Sequence, residues 1–107
     1  MAEPGFVKVA ETGELAPGKM RSVRLGEEEV LLVNVNGNYY AIGDTCSHRG
    51  GTLSEGDLDG EQVACPLHGA NFNVVSGEAL SLPAREGVQA YEVRVSGNDI
   101  LLGPAKS

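Results

Sequence analysis

The sequence predicts an all-β domain of antiparallel hairpins and meanders, and three observations carry that expectation. Short runs rich in valine, isoleucine, leucine and tyrosine recur along the chain. Turn signals of the Asn-Gly, Asp-Gly and Gly-Asn type separate them, and the 15 glycines and 5 prolines are many for 107 residues. Only one short segment, residues 11–15, has the character of a helical turn, and Pro17 and Gly18 end it.

Taken in order, residues 6–10 read as the first strand and residues 19–25 as a second, more weakly patterned one. Residues 29–35 form a third. The turn at Asn36-Gly37-Asn38 leads into residues 39–42, a good hairpin signal. Asp59-Gly60 marks a second hairpin into residues 61–64, and residues 71–75 close on Ser76-Gly77. Residues 88–95 alternate, with Gln89, Tyr91, Val93 and Val95 on one face and Ala90, Glu92 and Arg94 on the other. Gly97-Asn98 then turns the chain into residues 99–102. Tyr39, Tyr40 and Tyr91 read as core or half-buried strand residues.

The length suits a single domain spanning residues 1–107, with no repeat or linker inside it. A net charge of −7 argues against nucleic-acid binding, which needs a basic footprint. The N-terminus has no signal-peptide character, and no apolar run approaches the roughly 20 residues that cross a bilayer. A soluble, cytoplasmic protein is the expectation. Glu55, Asp57, Asp59 and Glu61 read as a solvated hairpin, with an acidic docking patch as the functional alternative.

Two segments interrupt the strand rhythm, at about residues 44–56 and 65–72. The first contains Cys46-Ser47-His48-Arg49-Gly50-Gly51, and the second begins Cys65-Pro66-Leu67-His68-Gly69-Ala70. Each offers one thiolate and one imidazole, in C-x-H and C-x-x-H spacing, and the pattern uses every Cys and His in the chain. A Cys46–Cys65 disulfide is disfavoured in a reducing compartment. Zinc remains the competing metal, in a structural Cys2His2 site of an interaction module. The C-x-H pair is tighter than zinc fingers use, and no helix carries the second pair.

These motifs resemble those of the Rieske-type [2Fe-2S] ferredoxins, along essentially the whole chain. Leu53 and Gly56 fit C-x-H-x4-L-x2-G, while Pro66, Gly69 and Phe72 fit C-P-x-H-G-x-x-F. Gly77 follows in a turn, and Pro83 stands where a third loop covers the cluster in that family. The resemblance implies one [2Fe-2S] cluster, with Cys46 and Cys65 on an inner iron and His48 and His68 on an outer one. It also implies a backbone cradle at Gly50, Gly51 and Gly69, and places Arg49 at the cluster rim or on the ordinary surface.

Departures from the high-potential members refine the role. Their extra disulfide cysteines correspond to Gly51 and Leu67, a sulfide-bonding serine to Ala70, and a tyrosine to Phe72. Fewer hydrogen bonds to sulfur imply a potential low for the class. No histidine is left for a mononuclear iron site, so the chain is expected to relay electrons without being an enzyme. The resemblance implies a flavin-dependent ferredoxin reductase and a terminal oxygenase of an aromatic-ring dioxygenase system as partners. The small subunit of an assimilatory nitrite reductase is the alternative.

Overall fold

The Asn36-Gly37 pair shows how local chemistry sets the architecture. Both residues have positive φ, at 53° and 91°, so the two-residue turn twists with the strands it joins. It connects β3 (Glu28–Val35) to β4 (Asn38–Gly43), paired in register from Val35↔Asn38 to Val30↔Gly43. This hairpin is the centre of a computed structural model that describes residues 5–45, 52–66, 70–80 and 87–105.

Among the described residues, nine strands form two antiparallel sheets. The larger runs β1-β9-β8-β4-β3-β2, adding β1 (Val7–Glu11), β2 (Met20–Leu25), β8 (Ala90–Ser96) and β9 (Asp99–Ala105). Its edge strands β1 and β2 come into contact, so the sheet curls toward closure. The smaller sheet is β5 (Asp57–Asp59), β6 (Gln62–Ala64) and β7 (Asn71–Asn73), in sequence order. Short 3-10 turns, η1 (Thr12–Glu14) and η2 (Leu53–Glu55), follow β1 and precede β5.

β3 is buried from Val30 to Val35 because both of its faces are covered. Val30 and Leu32 face a core closed by the curled sheet, with Ala41, Tyr91, Ile100 and Leu102. Leu31, Val33 and Val35 face a second core, where Leu53, Val63, Cys65, Phe72 and Val74 lie. Asn34 is polar yet 2% exposed. Its amide donates to the Leu15 carbonyl at 2.8 Å and accepts from the Gly37 N–H at 2.8 Å, which offsets its desolvation.

The expected strands are present with shifted ends. The helical turn narrows to η1, where Glu14 accepts from the Glu11 N–H at 2.8 Å. β7 stops at Asn73 because that side chain takes the N–H groups of Val75 and Ser76, at 2.8 and 3.1 Å, bending the chain into a turn. β9 continues past residue 102 to Ala105, pairing with Tyr91. η2 was not expected from the sequence, and β5 is the first arm of the Asp59-Gly60 hairpin, whose bounds the sequence left open. Glu55, Asp57, Asp59 and Glu61 are exposed, as a solvated hairpin requires, and Tyr39 and Tyr40 are half-buried.

Candidate metal centre

The segment that carries the first Cys/His pair is closed at its base by main-chain contacts. Beyond β4, the Asp44 N–H donates to the Glu29 carbonyl at 3.1 Å, and the Leu53 N–H donates to the Asp44 carbonyl at 2.7 Å. Thr45 and Thr52 form an isolated antiparallel bridge. Residues 46–51 therefore lie between two ends held side by side. Below this neck, Leu53 is fully buried and anchors η2 in the core.

A second neck stands at the end of β6. The Cys65 N–H donates to the Ala70 carbonyl at 2.7 Å, one step beyond the Ala64↔Asn71 pair. Cys65 is 3% exposed and Ala70 is fully buried, both in the core with Leu53, Val63 and Phe72. On the far side of β7, Phe72 bridges Ala79 and the Leu80 N–H donates to the Asn71 carbonyl at 2.8 Å. Residues 81–86, which include Pro83, follow directly and lie outside the described residues.

Gly56 joins the two necks. It ends η2 and precedes the Asp57↔Ala64 pair. A Cβ on it would overlap the Ala64 carbonyl oxygen and come within 3.2 Å of Pro66 Cδ. Glycine lets the outgoing strand of the first segment lie against the backbone that leads into Cys65. The described bases of both segments thus lie at the same end of the small sheet.

Of the four expected ligands, Cys65 is placed, buried at the second neck. Cys46, His48 and His68 lie outside the described residues, as do Arg49, Gly50, Gly51, Leu67 and Gly69. Among the described residues no three His, Cys, Asp or Glu side chains gather to hold a metal, as expected with one ligand of four in view. What is in view fits an iron–sulfur group. A cysteine shielded from water sits at the base of one loop, beside the base of the loop that carries the other cysteine. Two thiolates and two imidazoles are a donor set that such a cluster accepts.

Two residues at the first neck escaped the sequence reading. Asp44 is 1% exposed, and its carboxylate accepts from the Ser54 N–H at 2.7 Å and the Ser54 hydroxyl at 2.9 Å. Beside it opens a groove of about 270 Å³ walled by Glu28, Glu29, Gln89 and Tyr91. Burial pushes the Tyr91 phenol above its ordinary pKa, and the negative charge of Glu28 adds to the shift. No helix among the described residues is long and apolar enough to cross a membrane.

Comparison with known proteins matches residues 5–92 to the model of the Rieske [2Fe-2S] domain. The chain is 42% identical over 97 residues to the ferredoxin component of biphenyl 2,3-dioxygenase from Rhodococcus jostii, covering 91% of each chain. In a solved complex of reduced oxygenase and oxidized ferredoxin of carbazole 1,9a-dioxygenase, a chain superposes with a TM-score of 0.90. It is 34% identical, with 98% of both chains covered. A solved protein described as the small subunit of an NADPH nitrite reductase follows at 26% identity and a TM-score of 0.79, covering 92% of this chain and 98% of that one.

Proposed function

This chain belongs to the Rieske [2Fe-2S] domain family and carries that family's cluster, and from this premise we propose that it is the ferredoxin of an aromatic-ring dioxygenase system. It takes one electron at a time from a flavin-dependent reductase and delivers it to a terminal oxygenase. The correspondence with the biphenyl dioxygenase ferredoxin, over 91% of each chain, carries this reading. The carbazole dioxygenase complex supports the oxygenase as partner. The nitrite reductase reading rests on a more distant likeness and takes second place. Zinc gives way to iron and sulfide, because the family holds a [2Fe-2S] cluster.

Cys46 and Cys65 supply the thiolates and His48 and His68 the imidazoles in this proposal. The cluster contributes reversible one-electron chemistry, at a potential above that of all-thiolate clusters because two neutral ligands replace two charged ones. The protein's part is to hold the ligands, exclude water from the Cys65 side and set the hydrogen bonds to sulfur. Ala70 brings no hydroxyl to that task, which supports a potential low for the class.

The test is reconstitution. Purified protein should contain two irons and two acid-labile sulfides and give a Rieske electron-spin signal on reduction. It should then couple a flavin reductase to the oxygenase of a biphenyl-type dioxygenase. Efficient coupling to a nitrite reductase large subunit, with none to the oxygenase, would reverse the assignment. Cys65→Ser and His68→Ala should each abolish the Rieske signal, and its survival in either would overturn the ligand set.

A further inference from the structure

We propose that Asp44 is a positioning residue for the cluster, acting through Ser54 to lock the base of the first ligand loop against the end of β6 that leads into Cys65. The inference rests on the reading that this loop bears Cys46 and His48.

A carboxylate that is 1% exposed has lost its water, so its protein partners must compensate. Both of its oxygens are engaged by one residue across the neck. Oδ1 accepts the Ser54 N–H at 2.7 Å and Oδ2 the Ser54 hydroxyl at 2.9 Å. The main chain of Asp44 adds two more ties, to Glu29 and to Leu53. A two-point attachment fixes orientation as well as separation, which an apolar contact would not.

The alternative is an ordinary cap for η2, and the local geometry argues against it as the whole role. An N-cap side chain normally satisfies a first-turn N–H from within its own segment. Thr52 occupies the cap of η2 and makes no such bond. The donor at Ser54 is satisfied from the other side of the neck, so the bond closes the loop that carries the ligands.

The lock reaches Cys65 through two short steps. The Gly56 N–H donates to the Leu53 carbonyl at 2.9 Å, and Gly56 lies against the Ala64 carbonyl, one residue before Cys65. Asp44 stands two residues before Cys46 in the sequence. The bonds of one side chain thereby bear on the distance between the two cysteine-bearing segments. Metal–ligand geometry tolerates only about 0.2 Å of error, so a loosened neck should register at the cluster.

The test compares Asp44→Ala, Asp44→Asn and Ser54→Ala with the wild-type holoprotein and with His48→Ala. Asp44→Ala should keep the far-ultraviolet signature of the larger sheet, lose iron to a chelator roughly tenfold faster, and show altered electron-spin g values. Asp44→Asn retains an amide oxygen for the Ser54 N–H and should recover most of the retention and the spectrum. A wild-type spectrum and chelation rate in Asp44→Ala overturn the proposal, whatever its melting temperature. Should Asp44→Ala fail to fold, Ser54→Ala decides, since it removes a single hydroxyl bond. Wild-type behaviour there overturns the proposal, and faster iron loss with altered g values supports it. If the wild-type protein lacks a Rieske signal, or His48→Ala keeps it, the failure lies in the ligand assignment and not in the lock.

Discussion

At Ala70 a single methyl group stands where high-potential relatives of this architecture place a hydroxyl. The residue is fully buried in the core that contains Cys65 and Phe72. A serine there must find an acceptor, because an unsatisfied buried hydroxyl costs about 1–3 kcal/mol. A cluster sulfide is the acceptor expected, and donating to it stabilises the extra electron. Ala70→Ser should raise the midpoint potential in voltammetry, and an unchanged or lowered value would count against this reading of the loop. Tyr91 allows a test of a different kind. Its phenol is held above the ordinary pKa, by burial first and the charge of Glu28 second. The folded state therefore keeps that proton longer than the unfolded state. The stability this contributes is fully present below the ordinary phenol value and is lost as pH rises through the folded-state value. Phenolate absorbance should show a late component that is absent in Tyr91→Phe. Loss of a component at the ordinary phenol value in Tyr91→Phe would remove the argument from burial.

At the scale of elements, the hairpins were legible because their turns need unusual backbone that few residues supply. Asn36-Gly37 announces β3 and β4 without tertiary help. The bounds of β5 were not legible. Asp57-Leu58-Asp59 has one apolar residue between two charges, and it becomes a strand by pairing with Gln62–Ala64. The candidate ligands stood out because cysteine and histidine are rare and fall in matched pairs. Asp44 and Ser54 did not, since carboxylates and hydroxyls are ordinary in loops and their pairing spans a neck that only folding closes. Gly56 lies between these cases. Its place in the family pattern was legible, and its physical reason, contact with the Ala64 carbonyl, was not. Gly56→Ala should cost about 1–3 kcal/mol by denaturant titration, the usual range for forcing extra atoms into a packed site. It should also lower the iron content of purified protein. A variant with wild-type stability and iron would mean that the two necks can move apart freely.

Across the whole molecule, the two cores divide the work of stability. One, with Val30, Leu32, Ala41, Ile100 and Leu102, is built from the larger sheet and the segments beside it. The other needs Val63, Phe72 and Cys65 from the small sheet and its loop. Strands of three residues have little pairing of their own, and β5, β6 and β7 are each that short. Their order therefore depends on packing against β3 and β4 and, with the proposed ligand set, on a cluster that would tie the two necks. Metal binding that organises a site contributes to folding stability there. Cluster removal should consequently act unevenly, because local openings in a protein span a wide range of free energies. Hydrogen exchange followed by mass spectrometry on holo and apo protein provides the measurement. Exchange should quicken across β5, β6 and β7, while peptides that contain Val30, Leu32, Ile100 and Leu102 stay protected. Equal loss of protection in both sheets would make the protein one cooperative unit that the cluster supports as a whole. No change in the small sheet would mean that Leu53, Val63 and Phe72 suffice to hold it, and that the cluster adds electron transfer without adding order.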